Sequence, residues 1–295
     1  MEFKTLAMIA ARVLVALVAI VLLLRLAENK FIFFPEKISI NRALPPTPGF
    51  AVENIWLQSV DGVRLSGWLI ASQSPASPSP ATVLYLHGNA GSLFDRVERL
   101  VSLAAQGFTI FAIDYRGYGW SGGTPTEAGL YRDAAAAYKY LIQHKHVDPG
   151  SLFFYGESLG TAVAIELALD HPCGGLILES PFTSFEEVGK AHYFFIPGFV
   201  YHFMSNDWNS LDRIRRLKMP KFIVHGDRDQ VIPFAQGQRL FEAALPPKTF
   251  YPIHGAAHME CLELGGRELT DRLKAFVIES QALRSTPSPE AAHDL

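Results

Sequence analysis

The stretch that most constrains this chain is Ser151 to Asp170, SLFFYGESLGTAVAIELALD. Leu152 to Tyr155 form a short apolar run of the kind that makes a buried strand, and the second half reads as an alanine-rich helix. Between them stands Gly156-Glu157-Ser158-Leu159-Gly160. G-x-S-x-G at a strand-to-helix junction makes a turn so tight that small residues must flank the serine. The hydroxyl is held clear of the backbone at a helix N-terminus, where the dipole and free N–H groups favour developing negative charge. The pentapeptide alone is common, but with a strand before it and a helix after it Ser158 reads as a nucleophile.

The rest of the chain supplies the setting. Leu6 to Leu26 is apolar for about 20 residues, enough to cross a bilayer as a helix. Arg12 interrupts it at a cost of roughly 2.5–3.5 kcal/mol if central. No small residue stands three positions before a cut after Ala27, so an uncleaved signal anchor over residues 1–30 is expected rather than a removed signal peptide. Phe31 to Pro35 then either sit at the headgroup level or pack on the following domain, within a linker over residues 31–50. From Ala51 apolar strands alternate with amphipathic helices to about residue 284. Val52–Ser59 and Val63–Ala71 flank the turn signal Asp61-Gly62, and Thr82–Leu86, Phe108–Ile113, Leu176–Leu178, Lys221–Val224 and Thr249–Ile253 are further strands. Helices are expected over Leu93–Gln106, Glu127–Lys145, Phe234–Ala244 and Gly266–Leu283. That order implies an α/β domain with a mostly parallel sheet covered on both faces. Ser72–Pro80 reads as a flexible connection and residues 285–295 as a disordered tail. A net charge of −3 without a basic run argues against nucleic acid as a partner, and two cysteines form neither a disulfide framework nor a metal cluster.

A serine hydroxyl needs a base, and the base an orienting acid. Behind a strand–serine–helix turn the acid follows a later strand and the histidine lies beyond the last one. Asp227 and Asp229 follow Lys221–Val224, and Glu179 follows Leu176–Leu178. His258, in Gly255-Ala256-Ala257-His258, is the base by position, with His254 as competitor; His87 and His225 precede glycines at strand ends and read as structural. Reading His254 and His258 as metal ligands is weak, since they are not on a helix and lack a third partner. The oxyanion requires two N–H donors, expected from the backbone of Leu159 and of Asn89 in His87-Gly88-Asn89-Ala90-Gly91.

Taken together, HGNAG, YRGYGWSGG, YGESLG, ESPFTS, HGDRDQVIP and GAAH, behind a membrane span and FIFFPEK, resemble the membrane-anchored serine α/β-hydrolases related to the BEM46-like proteins and the protein depalmitoylases. The likeness runs from about Phe31 to Leu283. It implies an α/β-hydrolase fold over residues 51–284, with an eight-stranded sheet and a small helical cap at about 181–219. It matches Asp229 to the family's acid loop, H-G-x-x-D-x-x-[VI]-P, which leaves Asp227 a turn residue. Where depalmitoylases carry a cysteine-rich N-terminal segment, this span has no cysteine. The implied activity is hydrolysis of acyl esters or thioesters without a cofactor or metal, on a small or lipid-like substrate. Within the cap, Tyr193 to Phe203 is rich in aromatics, and Phe195, Phe199 and Tyr201 are expected to line an acyl pocket. An aminopeptidase or amidase would use the same machinery, with Glu186, Glu187 or Asp207 available to meet a free amine. A membrane-tethered binding protein with a vestigial site is the non-enzymatic alternative. Dehalogenase relatives carry aspartate where this chain has Ser158.

Overall fold

The computed structural model describes residues 2–73, 81–193 and 198–285. Eight strands form one sheet: β1 Phe50–Gln58, β2 Arg64–Ser72, β3 Thr82–Leu86, β4 Thr109–Asp114, β5 Leu152–Glu157, β6 Gly175–Glu179, β7 Lys221–Gly226 and β8 Lys248–Ile253. Their spatial order is β8-β7-β6-β5-β3-β4-β2-β1. The β1–β2 hairpin and the β2–β4 pairing are antiparallel. All pairings from β4 through β3 to β8 are parallel.

Parallel strands joined by helical crossovers are covered on both faces, so they read as continuous apolar runs. Alternation survives only in which core each side chain enters. Leu84, Leu86 and Phe154 join one buried cluster, whereas Val83, Tyr85, Phe153 and Tyr155 join the other. Helices α3 (Glu127–Gln143), α4 (Leu159–Asp170) and α7 (Phe234–Ala243) supply residues to the first. Helices α2 (Val97–Ala104) and α8 (Cys261–Ser285) cover the second. Because β3 lies between β4 and β5, successive crossovers run to opposite sides there, opening the crevice at the strands' carboxyl ends where ligands bind in open α/β sheets.

Two helix starts differ from the sequence expectation. Leu93–Asp95 is a 3₁₀ turn rather than the start of α2. There the Asp95 carboxylate accepts the Ser92 N–H at 2.8 Å, and the Leu93 N–H is taken by Asp114 at 3.0 Å. Helix α8 begins at Cys261 instead of Gly266, and Gly266 marks a kink at φ 49°, a conformation glycine adopts without strain.

The N-terminal helix α1 runs over Glu2–Ile32. Among the described residues no helix is long and apolar enough to cross a membrane; the anticipated span falls partly on side chains outside that description. At the far end of α1, Ile32 and Phe33 enter the core, and Phe33 packs edge-on against Trp208 at 6.1 Å. Phe34 stays exposed. The buried Glu28 carboxylate accepts the Ser205 N–H at 3.0 Å and the Asn206 amide at 2.6 Å. The anticipated anchor limit at residue 30 therefore cuts through contacts with the segment between β6 and β7. That segment holds α5 (Phe185–His192), a 3₁₀ turn over Gly198–Phe203 and α6 (Ser210–Ile214). It is tied to α3 as well: Glu127 accepts the N–H groups of Asp207 and Trp208 at 2.7 and 3.0 Å. Residues 74–80 and 286–295, read as flexible connection and tail, lie outside the described residues.

Candidate active site

Ser158 stands between β5 and α4 with φ 52° and ψ −115°. A non-glycine residue held there stores on the order of 1–3 kcal/mol of backbone strain. The flanking glycines explain how the turn closes. A Cβ on Gly156 would lie 2.5 Å from the Gly160 carbonyl oxygen, and one on Gly160 only 1.9 Å from that of Leu86. The elbow is thus pressed against β3 and the start of α4 with no room for a methyl group.

Three loops meet at Ser158. His258 Nε2 lies 2.9 Å from Ser158 Oγ, and His258 Nδ1 lies 2.7 Å from Asp229 Oδ2. The other Asp229 oxygen accepts the N–H groups of Val231 and Ile232 at 2.9 and 2.8 Å. His225 Nε2 is 3.2 Å from Oδ2. Burial opposes ionisation of Asp229, but hydrogen bonds from His225 and His258 outweigh it and hold the carboxyl well below the usual range. The carboxylate is thus aimed at Nδ1 of His258, whose Nε2 faces Ser158 Oγ.

The competing candidates are occupied elsewhere. Asp227 accepts from His254 Nδ1 at 2.9 Å and from the Gly255 N–H at 2.7 Å, stapling the loop that carries His258. Its partner His254 is exposed. Glu179 faces Arg99 at 2.5 Å and the Tyr155 hydroxyl, not the histidine. Among the described residues no three His, Cys, Asp or Glu side chains come together as a metal site.

Leu159 opens α4, so its N–H is among the four that a helix leaves without an internal acceptor. Asn89 follows β3, and its carbonyl accepts the Tyr118 hydroxyl at 2.7 Å. Tyr115 donates to the carbonyl of His87 at 3.3 Å. His87 is wholly buried against both rings. Desolvation, with nearby Arg96 adding to it, pulls its pKa down to about 3, so it is a neutral spacer in the loop. The two tyrosines come from the YRGYG run, whose Arg116 is clamped by Asp133 at 2.8 Å and Asp61 at 2.8 Å. Sequence reasoning gave none of these three a role, although an aromatic-Arg-Gly-aromatic turn directly after β4 is a visible signal.

Of the expected acyl-pocket residues, Phe195 and the side chain of Phe199 lie outside the described residues. Tyr201 packs against α5: a Cβ on Gly189 would lie 2.4 Å from its ring. Glu186 and Glu187 are paired with Lys190 at 2.7 and 3.2 Å, and Glu187 also with Arg239 at 2.7 Å. A cavity of about 600 Å³ touching Cys173, Lys218, Met219 and Arg284 lies at the strands' amino-terminal ends, away from this constellation.

Comparison with known proteins fixes the family. The α/β-hydrolase domain-containing protein WAV2 of Arabidopsis thaliana is 30% identical over 269 residues, 84% of this chain and 87% of that protein. The chain belongs to the α/β-hydrolase family. Protein bem46 of Schizosaccharomyces pombe is 34% identical to this hydrolase over 212 residues, 70% of this chain and 71% of its own. A family model described as serine aminopeptidase, S33, matches residues 77–204 of the hydrolase. Among solved structures, the esterase Pf2001 of Pyrococcus furiosus superposes with a TM-score of 0.68 at 23% identity, covering 84% of this chain and 99% of that one. That likeness extends the shared fold over nearly the whole of the esterase.

Proposed function

We propose that this α/β-hydrolase cleaves carboxylic esters or thioesters through an acyl-enzyme on Ser158. The observation that carries the reading is the continuous hydrogen-bonded line from Ser158 Oγ through His258 to Asp229. Ser158 Oγ attacks the acyl carbon while His258 Nε2 takes its proton. The resulting oxyanion is met by the N–H groups of Leu159 and Asn89. Collapse expels the alcohol or thiol, which leaves with the proton from His258, and water then repeats the sequence to release the acid. Asp229 remains ionised throughout and holds the imidazole in the tautomer the reaction needs.

A second reading, hydrolysis of aminoacyl amides, is favoured by the description of the matching family model. Weighing against it, Glu186 and Glu187 already have basic partners and so are poor receivers of a substrate's α-amine. The membrane anchor remains part of the proposal. It is supported by the apolar run in the sequence and by the exposure of Leu6, Met8, Ile9, Val15, Val18 and Leu22 along α1.

The test pairs a fluorophosphonate probe with a two-carbon chromogenic ester and an aminoacyl amide. Wild-type protein is expected to be labelled and to turn over the ester faster than the amide, and Ser158→Ala is expected to do neither. Labelling that persists in Ser158→Ala would place the nucleophile elsewhere. Preference for the amide would favour the second reading.

A further inference from the structure

Arg99, on α2, is buried to 11% exposure between two carboxylates and a carbonyl. Its Nη1 lies 2.5 Å from Glu179 Oε2, its Nε 3.6 Å from Glu157 Oε2, and its Nη2 donates to the Met259 carbonyl at 2.9 Å. Each partner adjoins the proposed reacting pair. Glu157 immediately precedes Ser158, and the Glu179 carbonyl accepts the Ser158 N–H at 2.9 Å. Met259 immediately follows His258, whose own carbonyl accepts the Ser180 hydroxyl at 3.3 Å.

From this geometry we infer that Arg99 is a positioning residue that sets the distance between Ser158 and His258. The inference rests on the serine-hydrolase reading and goes beyond it. One guanidinium grips both the strand edge that presents the nucleophile and the loop that presents the base. Only a rigid, planar fork with several donors spans those three acceptors; a lysine ammonium offers one nitrogen. Two of the three contacts are backed up. Glu157 also faces Arg96 at 3.2 Å and accepts from Tyr85, and Glu179 accepts from Tyr155. The Met259 carbonyl has Arg99 as its donor among the described residues. The contact without a substitute donor is therefore the one that ties Arg99 to the histidine loop, adding to the Asp227 bonds with His254 and Gly255 and the Ser180 bond to the His258 carbonyl.

The test measures fluorophosphonate labelling rate, kcat and KM in Arg99→Lys, with thermal melting to establish the fold. The lysine variant keeps a positive charge between the carboxylates but releases Met259. The expected result is a loss of roughly 10- to 100-fold in labelling rate and kcat, the scale of an ångström-size misplacement, with KM within about twofold of wild type. Should Arg99→Lys fail to fold, Arg99→Gln combined with Glu179→Gln removes both buried charges together, a change that proteins tolerate far better than orphaning one. The same loss is expected there. A folded variant of either kind that labels and turns over within twofold of wild type overturns the inference, as does a loss confined to KM or to melting temperature. Wild-type protein that the probe does not label overturns the hydrolase reading, and this one with it. Wild-type labelling abolished in Ser158→Ala but unchanged in the Arg99 variants overturns this one alone.

Discussion

Asp229 and Asp114 are both buried aspartates, and their surroundings send them in opposite directions. Asp229 collects donors on both oxygens and stays ionised. Replacing it with asparagine presents an amide to His258 and favours the wrong tautomer. Asp229→Asn is therefore expected to lose on the order of 10³–10⁴ in kcat while remaining folded. Glu179→Gln, which touches neither Ser158 nor His258 by its side chain, is expected to lose less than about tenfold. Ester kinetics on the two variants check the assignment, and the reverse ranking would move the acid to Glu179. Asp114 lies beneath the HGNAG loop, facing the neutral His87 at 3.7 Å, with the Leu93 N–H as a donor and Arg96, Asp95 and Lys37 nearby. Desolvation pushes its pKa up to about 7, against the hydrogen bond from Leu93. A carboxyl raised above its unfolded value of about 3.9 stabilises the fold fully below that pH and loses the contribution as pH rises through about 7. Asp114→Asn keeps an acceptor for Leu93 and has no charge to form. Its melting temperature relative to wild type is expected to rise between pH 4 and pH 7.5, and melting curves across that range measure it.

The elements differ in how plainly the sequence announces them. The elbow was legible because its requirement is steric: a strand, two glycines and a helix leave one place for Ser158. Gly160→Ala tests that requirement at full strength, since the added methyl would meet the β3 backbone at 1.9 Å. It is expected to abolish activity and cost several kcal/mol in denaturant unfolding. Gly255→Ala meets nothing within 4 Å and has only its φ of 81° to oppose it, so about 1–2 kcal/mol is expected there. The strands of the sheet were equally legible, because burial on both faces writes an unbroken apolar run. Arg99 was not, because its partners Glu157, Glu179 and Met259 are 58 to 160 residues away and a lone arginine on a short helix looks like solvated surface. The start of α2 was missed for a related reason. The groups that hold the 3₁₀ turn come from Asp95 and from Asp114 on β4, and only the first is local. The end of α1 was obscured in turn by the hydrophobicity of the whole segment. Nothing in Phe31-Ile32-Phe33 distinguishes an aromatic at a headgroup from one packed on Trp208.

Across the whole molecule, α1 joins two surfaces with different demands. Its last turns belong to the domain, because Glu28 accepts from the Ser205 N–H and the Asn206 side-chain amide, and Asn29 accepts from that same amide at 3.0 Å. Among the described residues its earlier turns expose the large apolar side chains of Leu6, Met8, Ile9, Val15, Val18 and Leu22. At roughly 1.5 kcal/mol or more for each side chain taken out of water, these side chains together are expected to hold the protein on a lipid surface. A net charge of −3 offers no electrostatic attraction to anionic lipid, so binding is expected to be apolar in origin and insensitive to salt. Full-length protein should therefore sediment with neutral phosphatidylcholine vesicles equally at low and high salt. Removing residues 1–22 should leave the protein in the supernatant, with turnover of a two-carbon ester within about threefold of wild type, because Glu28, Asn29 and the site are retained. Removing residues 1–30 deletes Glu28 and leaves the Ser205 and Asn206 donors without their acceptor, at about 1–3 kcal/mol for each group left unpaired. That shorter chain should melt lower than the 1–22 deletion, even though both have lost the exposed apolar side chains. Equal melting temperatures for the two deletions would show the Glu28 contacts to be dispensable, and full-length protein that stays in solution beside the vesicles would remove α1 as the anchor.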